Sequence, residues 1–473
     1  MEIIADLHLH SKYSRAVSQQ MVIPQMAKWA RIKGIDLLGT GDFTHPLWLA
    51  ELEGSLEESE EGIFKIKNQK QDQESSVNDS NLKLEEGTKF LLTTEISSIY
   101  TQDGKTRKIH NLVGVPSFAA TEKINTALRK RGCNLTSDGR PIIGLSAKNL
   151  LELVLEVEPR SLFIPCHIWT PHFSLFGSES GFDSLGECFG EMAKYILAVE
   201  TGLSSDPEMN WQVADLDNHS IVSFSDAHSP SKLGREATVL QVPSASFSYE
   251  DVREALTGKR EFKSDETKSE IGGDLDISSG NLSSQRQSFI SYTIEFYPEE
   301  GKYHYTGHRN CGVVYSPEET LKKGATCPVC GKRLTVGVME RVRKLGGQDW
   351  DLGEKVLDRR GVCWVKQAGK IPFVRIVPLG EIVAESLGVG EETVKVEEVL
   401  SRIRRELGSE LTVLLQKSLE EIARVGGERL AEGVGKVRKG EIFVQPGFDG
   451  QYGVVKVWGE AKEKKENEQM GLF

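Results

Sequence analysis

The 473-residue sequence has no apolar run that could cross a bilayer, which takes about 20 consecutive apolar residues. It opens without the basic-then-apolar pattern of a secretory signal, so a cytoplasmic protein is expected. Cysteine is scarce and odd in number: the seven are Cys133, Cys166, Cys188, Cys311, Cys327, Cys330 and Cys363. That excludes a disulfide framework as the organising device. No internal repeat is visible. Positive charge is also short, with 58 Lys and Arg against 70 Asp and Glu, a net of −12. A globally basic surface is therefore excluded, but the local field is what a polyanion meets. Residues 302–345 carry nine Lys and Arg against three Glu, a local +6, while residues 51–87 carry eleven acidic residues against four Lys, a local −7.

What is present is a globular composition, 38% hydrophobic and 27% charged, over a length that accommodates two to four domains. Apolar runs at 3–7 and 35–39 flank a helical pattern at 24–33, with Pro24 in its first turn and Gly34 after its end, which suggests a βαβ unit. The polar stretch at 51–87 breaks the rhythm and reads as an acidic, partly disordered insertion. Strands are expected at 90–100, 108–115, 161–165, 195–199 and 220–224, and helices at 121–131, 147–156 and 249–256. Seven short apolar runs alternating with helical or irregular segments predict an α/β barrel or a parallel α/β sheet. Residues 1–260 form that unit. A linker follows at 261–288, and a strand at 289–296 leads into a Cys/His module over 289–345. A mainly helical region covers 346–459, with helices at 379–386, 393–407 and 411–424, and a flexible tail covers 460–473.

His8 and His10 stand two apart at the end of the first apolar run, so on a strand they project to one side. Imidazole is the commonest protein ligand for transition metals. Asp42, Glu95, His110, His167, Asp226 and His228 recur in similar settings at the predicted ends of strands, and His45 is a ninth candidate. A lone His or Asp in such a place is usually a surface residue or a helix cap, but eight together without metal would leave buried polar groups unsatisfied. The set exceeds one ion's needs and suits two or three. Its imidazole content favours Zn²⁺, Mn²⁺ or Fe²⁺, with Mg²⁺ possible for activity. Glu95 is the choice for a bridging carboxylate, with Asp226 and His228 beside it as catalytic residues. Such a cluster activates water and clamps both oxygens of a displacement at phosphorus, so phosphoester hydrolysis is the implied class.

A second constellation lies downstream. His308-x-x-Cys311 and Cys327-Pro-Val-Cys330-Gly have the spacing of a closed tetrahedral structural zinc site, with His304 an alternative to His308. The basic excess there suggests phosphate contacts by Arg309, Lys332 and Arg333. Trp169, Phe173, Phe176 and Phe182, just after His167, lie on a loop expected to border the metals and are read evenly as exposed apolar wedges or as rim packing. The Gly- and Ser-rich segment 177–184, including Ser178, offers backbone and hydroxyl hydrogen bonds.

The His-x-His start, the Gly-Asp turn at 41–42, the Thr-Glu at 94–95, His110, His167 and Ser-Asp-Ala-His at 225–228 resemble the motifs of the PHP (polymerase and histidinol phosphatase) metallophosphoesterases. Longer strings resemble the endonuclease Q family within that group. They are Gly-Thr-Gly-Asp-Phe-Thr-His-Pro at 39–46, His-Ile-Trp-Thr-Pro at 167–171, Phe-Ser-Leu-Phe-Gly-Ser-Glu-Ser-Gly-Phe-Asp-Ser at 173–184, Glu-Thr-Gly-Leu-Ser-Ser-Asp-Pro at 200–207 and Ser-Asp-Ala-His-Ser-Pro at 225–230. The resemblance implies a distorted (β/α)7 barrel with three metal ions and an endonuclease that nicks DNA 5′ of uracil, hypoxanthine, xanthine or an abasic site. A small-molecule phosphatase resembling histidinol phosphatase is the alternative activity, and a non-catalytic DNA-binding scaffold is a further rival. The terminal Gln469, Leu472 and Phe473 resemble the pentapeptide by which repair proteins bind the DNA sliding clamp.

Overall fold

The computed structural model describes residues 1–67, 87–258, 288–347 and 350–459. The expected linker, the tail with Gln469, Leu472 and Phe473, and residues 68–86 of the expected insertion lie outside them, apart from Ser288 at the linker's end.

The core of the fold is one mixed sheet. β1 (Glu2–Asp6) pairs in parallel with β2 (Leu37–Gly39). Between them runs the helix Ile23–Lys33, with proline in its first turn and Gly34 at φ 90° closing it. A Cβ at Gly34 would stand 2.3 Å from Ser409 Oγ, so glycine also permits a close approach by the C-terminal helices. The helix Pro46–Ser55 leads into a hairpin of β3 (Leu56–Glu60) and β4 (Ile63–Ile66), whose Phe64 pairs with Phe90. The first part of the supposed insertion is thus ordered. Its buried Leu56, Ile63 and Phe64 outweigh the acidic residues that alternate with them.

β5 (Lys89–Gln102) pairs in parallel with β2 and then turns back into β6 (Lys105–Val115) as a long antiparallel hairpin. This departs from the expected parallel rhythm. The cause is the Asp103-Gly104 turn, where both residues have positive φ, 53° and 72°. Two such residues make the tight turn that matches strand twist. β7 (Ile142–Ile143) joins β5, and β8 (Leu162–Pro165) pairs antiparallel with β6. β9 (Ala198–Glu200) and β10 (Ser220–Val222) form a separate parallel pair. β11 (Ala237–Gln241) returns antiparallel to β1. The ladders follow an open path. At its gaps, Ile168 N donates to Glu200 O at 3.2 Å and His10 N to Ala227 O at 3.1 Å.

β12 (Phe289–Glu295) does not enter the Cys/His module but extends the main sheet antiparallel to β11. The module proper is a hairpin of β13 (Thr306–His308) and β14 (Val313–Tyr315), followed by the helices Pro317–Lys323 and Val338–Gly346. β15 (Glu354–Leu357), β16 (Cys363–Lys366) and β17 (Phe373–Arg375) return to the sheet edge, where β17 runs parallel to β12. The helices Leu379–Leu387 and Val394–Leu407 match expectation. The helix expected at 411–424 is two, Glu410–Leu415 and Leu419–Gly426. Ser418 starts the second with a capping box to Glu421. Among the described residues no helix is long and apolar enough to cross a membrane.

Candidate metal centres

Beyond β1, the alternation of side chains persists: Leu7 and Leu9 pack into apolar cores on one side while His8 and His10 face the other, all fully buried. Glu95 and His110 are not at strand ends. They sit within the β5–β6 hairpin, where His110 is opposite Ser97 and Glu95 opposite Leu112. His167 and Asp226 follow β8 and β10. Both hold left-handed backbones, φ 31° and 46°, as does Asp42 at 51°. Non-glycine residues avoid this region unless the surroundings hold them there, and such strain gathers at functional sites.

Two groups of ligand-type atoms share one carboxylate. On one side, His110 Nδ1 lies 2.5 Å and His167 Nε2 3.2 Å from Glu95 Oε1. On the other, His10 Nε2 lies 3.2 Å and His8 Nε2 3.7 Å from Glu95 Oε2. Asp226 Oδ1 completes the second group, 3.1 Å from His10 Nε2 and 3.8 Å from His8 Nε2. Cys166, also buried, adds a sulfur within ligand range of His8 and Glu95. Burial opposes ionisation of Glu95, but the Arg140 guanidinium, the raised His8 and the hydrogen bond from His10 outweigh it and hold the carboxyl well below its ordinary range. Burial pushes His110 down to about 4, which keeps it a neutral imidazole with a lone pair to give.

The donor set fits divalent ions. His8 Nε2 is buried without a hydrogen-bond partner, although two carboxylates stand close by. His110 Nδ1 and His167 Nε2 face each other at 3.2 Å. Ligand atoms about 2.0–2.2 Å from a common ion stand roughly 3.3–3.5 Å apart in tetrahedral geometry, which these separations approximate.

Surrounding groups orient the ligands. Glu200 takes His8 Nδ1 at 2.9 Å and also accepts from His167 N at 2.8 Å. Arg140 Nη1 donates to Glu95 Oε2 at 3.0 Å. Neither was singled out from sequence. The Glu-Thr-Gly ending an apolar run was a usable signal for Glu200, whereas Arg140 lies on an irregular loop without one. Asp42, expected as a ligand, is hydrogen-bonded to His10 and its neighbours and stands in neither group. Its Oδ1 takes His10 Nδ1 at 3.2 Å, and its Oδ2 accepts from Ser11 N and Oγ at 2.7 Å and from Ser14 Oγ at 2.9 Å, so both oxygens are engaged. His45 joins neither group; its ring stacks on Tyr13 at 4.4 Å. His228 lies beside them, its ring 4.7 Å from His10 and its Nδ1 donating to the Asp226 carbonyl at 2.8 Å.

Of the two readings of the aromatics after His167, packing describes three. Trp169, Phe176 and Phe182 are core residues, buried to 1%, 0% and 1% exposure. Trp169 Nε1 donates to Asn210 Oδ1 at 2.8 Å, and its ring packs 5.0 Å from Phe176. The apolar chain after His167 is spent on packing. Phe173 alone of the four stays half-buried, at φ 64°, with its ring 4.9 Å from His110. Ser178 Oγ is buried without a hydrogen-bond partner.

In the module, His308, Cys311, Cys327 and Cys330 bring four ligand atoms within 4.8 Å of one another. His308 Nδ1 lies 3.4 Å from Cys330 Sγ, whereas His304 is buried outside that group with its ring stacked on Tyr305, so the open choice resolves to His308. Desolvation opposes it, but the backbone N–H groups of Cys330 and Val329 help hold the Cys327 thiol down to about 6, toward the thiolate that zinc takes. Arg309 is exposed, its backbone N–H held by Asp449 Oδ2 at 2.7 Å, and Lys332 and Arg333 are exposed as well.

These features define a mixed α/β protein with a buried histidine–carboxylate centre able to hold metal ions and a separate His-Cys₃ site suited to zinc. Among solved structures, the chain is 30% identical to the lesion-specific endonuclease PfuEndoQ from Pyrococcus furiosus, with a TM-score of 0.74 over 96% of this chain and 95% of that one. It is equally 30% identical to endonuclease Q crystallised with a 27-mer duplex substrate carrying an abasic lesion at the active site, with a TM-score of 0.75 over 99% of this chain and 100% of that one. It is also 30% identical over 469 residues to the uncharacterized protein YqxK of Bacillus subtilis, spanning 96% of this chain and 99% of that protein. The uncharacterized protein MJ0043 of Methanocaldococcus jannaschii is 27% identical over 318 residues, which are 64% of this chain but only 33% of that protein. Residues 378–441 match the family model of the MJ0043 C-terminal domain. The chain belongs to the endonuclease Q family.

Proposed function

We propose that the protein is a metal-dependent DNA repair endonuclease that hydrolyses the phosphodiester 5′ of deaminated bases (uracil, hypoxanthine, xanthine) and abasic sites. The observation that carries the reading is Glu95, whose two oxygens face two separate groups of histidines. His8, His10 and Asp226 would hold one ion and His110 and His167 another, with Glu95 between them. His228, outside both groups, is read as a ligand to a third. When bound, such ions polarise a phosphoryl oxygen and lower the pKa of water. The chain's own residues position them. Glu200 and Asp42 set the ring orientations of His8 and His10. His228, with Nδ1 committed to a carbonyl, keeps the Nε2 lone pair for a proton or an ion. Phe173, half-buried with its ring beside His110, is the residue of the 173–184 loop read as meeting an extruded base.

Residues 1–260 are read as a distorted seven-stranded barrel, closed at the β8–β9 and β10–β1 gaps by the hydrogen bonds of Ile168 and His10. The Cys/His module that begins with β13 would carry one structural zinc and, with Arg309, hold the DNA backbone. The helical region at 346–459 extends that grip. The reading is tested with duplexes bearing one uracil, hypoxanthine or abasic site, assayed with and without chelator beside p-nitrophenyl phosphate. Lesion-dependent nicking that the chelator abolishes is expected. Hydrolysis of the small ester without nicking would replace the nuclease with a phosphatase.

The tail at 469–473 is read as a sliding-clamp ligand, and its deletion should abolish clamp pull-down while leaving the nicking of short duplexes intact. Undiminished pull-down would dismiss the tether.

A further inference from the structure

The innermost groups of the centre are closed to solvent, and three others are not. His8, His10 and Glu95 are fully buried, whereas the side chains of Asp226, His228 and Arg140 are 26%, 36% and 25% exposed. These three are the most exposed groups around the centre, where an incoming substrate would first meet it. Arg140 is the permanent cation among them.

Its position is built by tertiary contacts. The Asp138 carboxylate accepts from the backbone N–H of Arg140 at 3.2 Å and of Arg15 at 3.3 Å. Gly139 N donates to Tyr13 O at 3.0 Å, and Ser97 N to Pro141 O at 3.0 Å. A Cβ on Gly139 would fall 2.3 Å from Asp42 Oδ2 and 2.5 Å from Ser14 Oγ, so glycine lets the turn press against the wall that orients His10. The guanidinium then reaches Glu95 Oε2 with Nη1.

A fixed cation among groups suited to hold cations works against metal affinity through like-charge repulsion. That cost is offset if an anion arrives with the substrate. The guanidinium fork carries five N–H donors, and the contact to Glu95 uses one. Its planar geometry matches a phosphate's paired oxygens.

We propose that Arg140 is an anion-binding residue of this centre and grips a non-bridging oxygen of the scissile phosphodiester, stabilising the charge that builds there. This rests on reading the centre as a phosphodiesterase. The rival role is purely structural, with Arg140 doing no more than hold Glu95 in place.

The test compares the metal-loaded wild type with Arg140→Gln and Arg140→Lys. Three quantities are measured: metal content, inorganic phosphate binding by calorimetry, and single-turnover nicking of an abasic duplex. Arg140→Gln should keep the wild-type metal content, bind phosphate about 10- to 100-fold more weakly, as for the loss of a charge-assisted hydrogen bond, and nick about 10²- to 10³-fold more slowly. Arg140→Lys should recover more of the phosphate affinity than of the rate, because it restores the charge without the fork. Unchanged phosphate affinity in Arg140→Gln, or a loss of metal in step with the other two, would overturn the proposal. Arg140-dependent phosphate binding by a wild type that nicks no lesion would leave the anion site standing and sink the nuclease reading instead.

Discussion

Glu95→Gln should lower single-turnover nicking of an abasic duplex by about 10²- to 10⁴-fold and reduce the ions retained after dialysis. The substitution keeps the volume and one carbonyl oxygen, so packing inside the β5–β6 hairpin is preserved. What it removes is the buried negative charge that His8, His10, His110, His167 and Arg140 all face. Breaking a buried charge pair by removing one partner costs ~3–5 kcal/mol, and a loss of that size in transition-state stabilisation corresponds to the stated range in rate. Both histidine groups should weaken together, because both use the same carboxylate. Glu200→Gln is the informative companion. It touches only His8 Nδ1 and the His167 backbone, so a smaller loss of about 10- to 100-fold is expected, as for other groups that orient ligands. A Glu95→Gln variant with more than a tenth of wild-type activity would show that the two groups do not act through this residue.

Cys330→Ser should release one equivalent of zinc and unfold the Cys/His module while the main sheet persists. The module has little else to hold it. Its own apolar cluster is Tyr315, Cys327 and Leu334, with Cys311 and Val313 partly buried against it. So small a core cannot offset the entropy of ordering the chain. A structural zinc supplies ~10–16 kcal/mol of apparent binding energy, which in such modules is folding energy. Hydrogen exchange across residues 306–335 should therefore rise toward unfolded rates in Cys330→Ser. In β1, β5 and β11, whose side chains belong to the large cores, protection should stay as in the wild type. Equal protection of the module in variant and wild type would mean that packing, and not an ion, maintains it.

The parts of this molecule legible in its sequence are those where one local pattern carries the chemistry. His8 and His10 follow an apolar run, and Asp226 follows another, so both period and residue type pointed to the centre. The cysteine spacing did the same for the zinc site. The failures have a different origin. The β5–β6 hairpin turns on Asp103 and Gly104, a strong two-residue signal that the expected parallel rhythm overrode. For Trp169 and Phe176, which follow His167, nothing local decides between wedge and packing, and the core holds both. Asp42 is a ligand type in the right neighbourhood whose oxygens are taken by Ser11, Ser14 and His10. Arg140 comes from a loop with no periodicity, placed by Gly139 packing on Asp42. Contacts of that kind depend on tertiary approach, which spacing does not encode.

The most direct measurement is the position of the cut. A duplex with a single abasic site or deaminated base, end-labelled on each strand in turn, is incubated with the metal-loaded protein and its products are sized at single-nucleotide resolution. The account predicts one nick, on the lesion-bearing strand immediately 5′ of the lesion, absent from the undamaged duplex and absent in Glu95→Gln. Cuts placed without regard to the lesion, or none in any of these duplexes, would contradict it.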